Sequence, residues 1–216
     1  ITTYAGKVGV NNWKTWIDHT PQNIQNPLML LQIFPNAKFI HLIRDPRAVA
    51  ASILPLDWGP NSAEEAAIFW RQKLVFGLAL EQAYPNRCMR VNYEDILSFP
   101  EKTISNICNF CEITFDNNML DGTAFKVPKY TRSQHSFVGH RPDISRLESW
   151  KRKLDPWQIC SIEESLGDLI EIFNYEPSLI TRPSKRPLNK KMASSLLPIV
   201  SFWKKKRFKQ KKESYL

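Results

Sequence analysis

A chain of 216 residues with 43% hydrophobic and 24% charged content is an ordinary globular composition, long enough for one domain with a sizeable core. Its formal charge of +9 suggests nucleic acid until it is divided: residues 182–216 hold 12 Lys and Arg and one acid, so of 30 basic and 21 acidic residues the remainder keeps 18 and 20. The globular part is near neutral, which argues against a basic nucleic-acid-binding domain, and no apolar run of 18 residues offers a membrane-spanning helix.

Residues 1–26 are mixed, with Trp13, Trp16 and Ile17 leading into the turn-like Asp18-His19-Thr20-Pro21. Asn26-Pro27 opens a short apolar helix that runs from Leu28 to Ile33 and stops before Pro35. The β-branched run Phe39-Ile40-His41-Leu42-Ile43 then predicts a buried strand at 38–43. Arg44-Asp45-Pro46-Arg47 ends it, and a small-residue pattern predicts a helix from about 46 to 54. Ser62, with Glu64 and Glu65 in the following turn, caps a long helix at 63–83 whose apolar stripe is Ala66, Phe69, Trp70, Phe76 and Leu80. Cys88 to Tyr93 reads as a second buried strand, and Ser98-x-x-Glu101 as a capping box opening a helix at 99–111. Residues 116–145 are polar and irregular; Trp150 and Leu154 read as core positions behind them. Asp155-Pro156 opens a last amphipathic helix through Ile159, Ile162, Leu166, Ile170 and Phe173. Strands alternating with helices predict a parallel α/β sheet.

The strand–turn–helix PNAKFIHLIRDPRAVAAS carries the most chemistry. Free backbone N–H groups and the positive end of the helix dipole point out of such a junction, which suits phosphate. Arg44 at the strand tip and Ser52 two turns onward offer a guanidinium fork and a hydroxyl to one dianion. An Arg–Asp pair that merely ends a strand is the other reading of the same residues. Asp45 is expected to cap the helix. The four cysteines form no disulfide framework; Cys108 and Cys111 sit in an apolar helical run without a second pair at zinc-ligand spacing, so they read as buried, reduced thiols of a cytoplasmic protein.

In order, the chain presents a Trp-rich entry, Asp18-His19-Thr20-Pro21, a helix, the PNAKFIHLIRDPR junction, Ser52, a long helix and Val91-Asn92-Tyr93-Glu94-Asp95. Over residues 12 to 176 this resembles the sulfotransferases that use 3′-phosphoadenosine 5′-phosphosulfate, in the bacterial and tyrosylprotein-type branch. The resemblance implies a three-layer P-loop-type α/β fold, a parallel sheet flanked by helices. It implies that Arg44 and Ser52 hold the donor's 3′-phosphate, with Arg47 adding charge, and that Tyr93 borders and stacks on the nucleotide. It makes His19 the catalytic residue, standing where many bacterial members have lysine, as general base or as a charge on the bridging oxygen. Residues 130–146 resemble the stretch closing over the cofactor, with Ser133, Ser136, Arg141, Ser145 and Arg146 as candidates to reach the 3′-phosphate. The implied reaction passes a sulfuryl group to an acceptor hydroxyl of a protein tyrosine, a carbohydrate or a small molecule, without a metal.

The family's Gly/Ser/Thr-rich phosphate loop and first strand are not found in residues 1–26. The expectation is therefore an N-terminally truncated fragment that lacks a central strand and exposes apolar surface. Residues 1–180 form the domain and 181–216 a basic tail. The segment LLPIVSFWKKKRFKQKK suits a disordered tail or one lying on an anionic membrane surface, giving a cytoplasmic or membrane-associated protein without specific nucleic-acid binding. Two rivals remain. One is a non-catalytic nucleotide-binding or membrane-associated interaction protein on the same fold. The other is a P-loop kinase relative, for which no lysine-bearing loop or magnesium carboxylate is found.

Overall fold

The computed structural model describes residues 15–121 and 140–181, together with 183, 204, 206 and 210. Its contacts divide into two compact units at Ala37/Lys38, inside the single domain expected over 1–180. Of residues 1–26, whose sequence holds no Gly/Ser/Thr-rich phosphate loop, 1–14 lie outside the described residues.

In the N-terminal unit the Asp18 carboxylate accepts the Thr20 N–H at 2.8 Å, and a 3-10 turn at Pro21–Gln25 follows. Helix α1 (Pro27–Ile33) has the proline at its first position, where a missing N–H costs nothing.

The second unit holds the sheet. Strands β1 (Phe39–Ile43) and β2 (Cys88–Asn92) pair in parallel, with Phe39 opposite Cys88 and Ile43 opposite Asn92. Between them run α2 (Pro46–Ile53) and α3 (Ala63–Ala83), as parallel pairing requires of its crossover. Helices α4 (Tyr93–Ser98) and α5 (Pro100–Cys111) follow β2; α6 (Trp150–Lys153), α7 (Pro156–Leu166) and α8 (Leu169–Ile172) complete the described elements. The core lies where α2, α3 and α7 meet, around Ala50, Ala66, Trp70, Ile159 and Ile162.

Three predicted caps form. Ser62 Oγ accepts from Glu65 N, Asp45 from Arg47 N, and Asp155 makes a full capping box with Gln158. The box at Ser98-x-x-Glu101 does not form. Ser98 closes α4, Phe99 occupies the cap of α5 without a side-chain bond, and Pro100 takes the first helical position. Tyr93 starts α4 rather than ending β2. The last amphipathic helix is broken in two at Gly167, whose φ of 54° is outside helical geometry. Trp150 and Leu154 are buried, as expected of core positions.

The buried strand is buried on one face only. His41 and Ile43 point inward while Ile40 and Leu42 are exposed. The inward histidine explains why the buried stripe of α3 includes Leu74 and Gly77, with Phe76 exposed. His41 Nδ1 lies 2.5 Å from Glu81 Oε1, and Arg90, opposite His41 in the sheet, donates to the same carboxylate. Burial pushes the Glu81 carboxyl up, but the bonds from Arg90 and His41 outweigh it and hold the group below its ordinary value. Burial, with the Glu81 charge nearby, pushes the Cys88 thiol up to about 11. The His41 ring fills the space beside Gly77, where an added Cβ would come within 2.0 Å of ring atoms. Gly77→Ala is therefore expected to destabilise by about 1–3 kcal/mol, read as a lower urea midpoint, even though alanine is the better helix former. A variant as stable as wild type would mean that the ring moves aside freely.

All four cysteines are free thiols. Among the described residues no helix is long and apolar enough to cross a membrane. Of the basic tail, Lys204 is described: its Nζ donates to the carbonyl oxygens of Leu54 at 3.2 Å and Pro60 at 3.1 Å.

Candidate functional site

The parallel register delivers the two leading residues together. Ile43 and Asn92 are partners, so the next residues on each strand, Arg44 and Tyr93, emerge side by side at the C-terminal edge, the edge where α/β sheets bind ligands. The Arg44 guanidinium carbon lies 4.3 Å from the Tyr93 ring centroid, a cation–π stack. Burial holds the Arg44 guanidinium below its ordinary value, and the positive charge of Arg146 acts in the same direction. The acids that act on it are engaged elsewhere. Asp45 binds Arg47, while Glu94 accepts the Asp45 N–H at 3.0 Å and the Tyr175 hydroxyl at 3.4 Å. A half-buried cation beside a second cation, with its nearby carboxylates turned to other donors, is arranged for an anion.

Beside the stack lies a cavity of about 500 Å³. Tyr93, Ile96, Leu97 and Pro142 give it an apolar wall; Arg141 and Arg146 add positive charge. That volume and lining suit a flat aromatic group bearing phosphate. Arg141 is paired with Asp121 at 2.7 Å. Ser145 donates its N–H and hydroxyl to Asp143, which also lines the cavity. Of the closing-segment candidates, Arg141 and Arg146 thus line the cavity beside Tyr93; Ser133 and Ser136 lie outside the described residues.

Arg47 does not face this site. It is 4% exposed, and each guanidinium nitrogen is engaged: Nε and Nη2 with Asp45, Nη1 with Glu163 at 2.6 Å and the Glu176 carbonyl at 2.8 Å. Its fork lies 4.2 Å from the Trp150 ring centroid. Where the sequence led to the expectation of a cofactor contact, the structure places Arg47 in an internal clasp, made by its neighbour Asp45 and by Glu163 and Glu176, which lie more than a hundred residues away in sequence. Ser52 is exposed on the last turn of α2 and is not bonded to Arg44. His19 is exposed and belongs to the N-terminal unit, just ahead of its 3-10 turn.

Two further residues shape the junction through bonds that the sequence does not announce. Trp70 Nε1 donates to the Arg44 carbonyl at 2.9 Å, and Glu94 takes the Asp45 N–H. Glu94 was visible beside Tyr93, but nothing local marks Trp70 as more than a core residue.

The family model described as "Sulfotransferase family" matches residues 3–117 of this chain. The chain belongs to the sulfotransferase family. A putative protein-tyrosine sulfotransferase of Caenorhabditis elegans is 36% identical over 156 residues, covering 65% of this chain and 55% of that protein. One of Caenorhabditis briggsae is 28% identical over 156 residues, covering 65% and 51%. The chain thus spans about half the length of these curated relatives. The sulfotransferase domain from the Synechococcus PCC 7002 olefin synthase superposes with a TM-score of 0.63 at 26% identity, over 81% of this chain and 63% of that one. A sulfotransferase domain from the curacin biosynthetic pathway shares the fold, with a TM-score of 0.56 at 20% identity, over 74% and 62%. The parallel sheet flanked by helices is therefore the sulfotransferase fold, and Arg44 and Tyr93 lie within the stretch that the family model matches.

Proposed function

We propose that this chain carries the nucleotide-binding part of a sulfotransferase site that uses 3′-phosphoadenosine 5′-phosphosulfate and a hydroxyl-bearing acceptor. The observation that carries this reading is the Arg44–Tyr93 stack at the strand edge, opening beside a cavity lined by Arg141 and Arg146. The donor set fits the nucleotide: a desolvated guanidinium for the 3′-phosphate, an aromatic and apolar wall for adenine, and Arg146 to share the phosphate's charge. Ser52 adds its hydroxyl if the phosphate reaches the last turn of α2. Among the described residues no group of His, Cys, Asp or Glu converges as a metal site would.

The donor, when bound, supplies an activated sulfuryl group: the acceptor oxygen forms the new S–O bond as the bond to the phosphate breaks, releasing adenosine 3′,5′-bisphosphate. This chain's residues bind and orient. Arg44 neutralises the end of the nucleotide remote from the chemistry, so that binding energy positions the reacting end. His19 takes the acceptor's proton at an imidazole nitrogen, a role open to a histidine near neutral pH. The tyrosylprotein relatives favour a protein tyrosine as acceptor over a carbohydrate or small alcohol.

Transfer of labelled sulfate from the donor to tyrosine-containing peptides, with the full-length protein, tests the reading. Transfer is expected, with reduced turnover in His19→Ala. Turnover near wild type in that variant would remove His19 from the chemistry. Tight binding of the bisphosphate without transfer would favour the non-catalytic alternative.

A further inference from the structure

The two bonds found at the junction fall on a single peptide unit. Trp70 Nε1 donates to the carbonyl oxygen of Arg44 at 2.9 Å, and Glu94 Oε1 accepts the N–H of Asp45 at 3.0 Å. Those two atoms are opposite ends of the planar amide joining Arg44 to Asp45. A side chain from α3 and one from α4 therefore grip the same plane from its two edges.

Each grip is itself braced. The buried Trp70 indole packs edge-on against Phe173, with ring centroids 6.1 Å apart, and Glu94 Oε2 takes the Tyr175 hydroxyl at 3.4 Å. Burial pushes the Tyr175 hydroxyl well above its ordinary value, and the Glu94 charge adds to the effect, so the phenol stays a donor. Phe173 and Tyr175 both belong to the stretch that closes α8, while Glu94 adjoins Tyr93 in α4. That amide plane fixes ψ of Arg44, so that with β1 leading in on one side and a held peptide leading out on the other, the Cα that carries the side chain is locked from both sides. Freed from either bond, the peptide can rotate, and the guanidinium loses its fixed place over the Tyr93 ring.

We infer that Trp70 and Glu94 are positioning residues for Arg44, fixing the peptide that aims its guanidinium at the 3′-phosphate of the nucleotide. The inference rests on the phosphate reading given above, and it assigns a share of the specificity to a tryptophan and a glutamate that act through the Arg44–Asp45 peptide.

The readout is the ratio of affinities for adenosine 3′,5′-bisphosphate and adenosine 5′-monophosphate, measured by calorimetry on this chain. A merely destabilising change weakens both ligands alike and leaves that ratio where it was. Trp70→Phe, which removes the indole N–H and keeps an aromatic ring, is expected to lower the preference for the bisphosphate about fivefold, the effect of one lost hydrogen bond. Glu94→Ala is expected to lower it at least as much, and Glu94→Gln, whose amide oxygen still accepts the Asp45 N–H, to restore most of it. If Glu94→Ala does not fold, Trp70→Phe and the glutamine variant carry the test. A wild-type preference that Trp70→Phe retains within about twofold overturns the positioning role while leaving the phosphate site standing. A wild-type chain that shows no preference overturns the phosphate reading, and the positioning role falls with it.

Discussion

Replacing Arg44 by alanine is expected to weaken binding of adenosine 3′,5′-bisphosphate by about 2–4 kcal/mol, the scale for removing one partner of a desolvated charge pair. The residue is half-buried, stacked on Tyr93, and already placed beside a second cation, so the folded protein has met the cost of desolvating it before any ligand arrives. Lysine at the same position would keep the charge but lose the fork and the stack, and should recover only part of the affinity. Titration calorimetry at two salt concentrations checks both variants. Affinity equal to wild type in Arg44→Ala would sink the phosphate assignment.

Arg47→Ala is expected to cost about 3–5 kcal/mol of folding stability, the penalty for removing one member of a buried ionic network. It would leave Asp45, 7% exposed, and Glu163 without their shared counter-charge, and release the Glu176 carbonyl. Glu163 also accepts the N–H and hydroxyl of Ser178, so the clasp fastens the chain beyond α8 to the first turn of α2. Bonds to Asp45 and Glu163 outweigh burial and hold the Arg47 guanidinium above its ordinary value, so it stays charged throughout the working range. Urea unfolding measures the effect. A loss below about 1 kcal/mol would mean that the network behaves like an exposed salt bridge. The two arginines of one short motif thus predict separable results: Arg44 governs affinity, Arg47 stability.

Their separation marks where local reading stops. The strand, the turn and the helix start were legible because each depends on neighbours within a few residues: a β-branched run, a proline at the first helical position, an Asp45 carboxylate that reaches Arg47 N. Ser98-x-x-Glu101 failed on equally local grounds, since Pro100 competes for the start of the same helix. Phe76 was misplaced for a different reason. The helical stripe of α3 is rotated by what it packs on, and the His41 ring opposite requires the bare surface of Gly77.

By itself the sequence determined the α/β alternation, the capped helices, the phosphate-suited junction and its likeness to sulfotransferases. All of these are short-range patterns, in which hydrogen-bond partners and hydrophobic period are written within one or two turns of chain. The tertiary structure alone decided which arginine is clasped inside the protein and which stacks on Tyr93 at the sheet edge. Glu163 lies 116 residues beyond Arg47, and parallel pairing brings Tyr93 beside Arg44 across 49 positions of sequence. No local pattern records which of two neighbouring guanidinium groups will find its counter-charge inside the protein and which will stack on a tyrosine at the sheet edge.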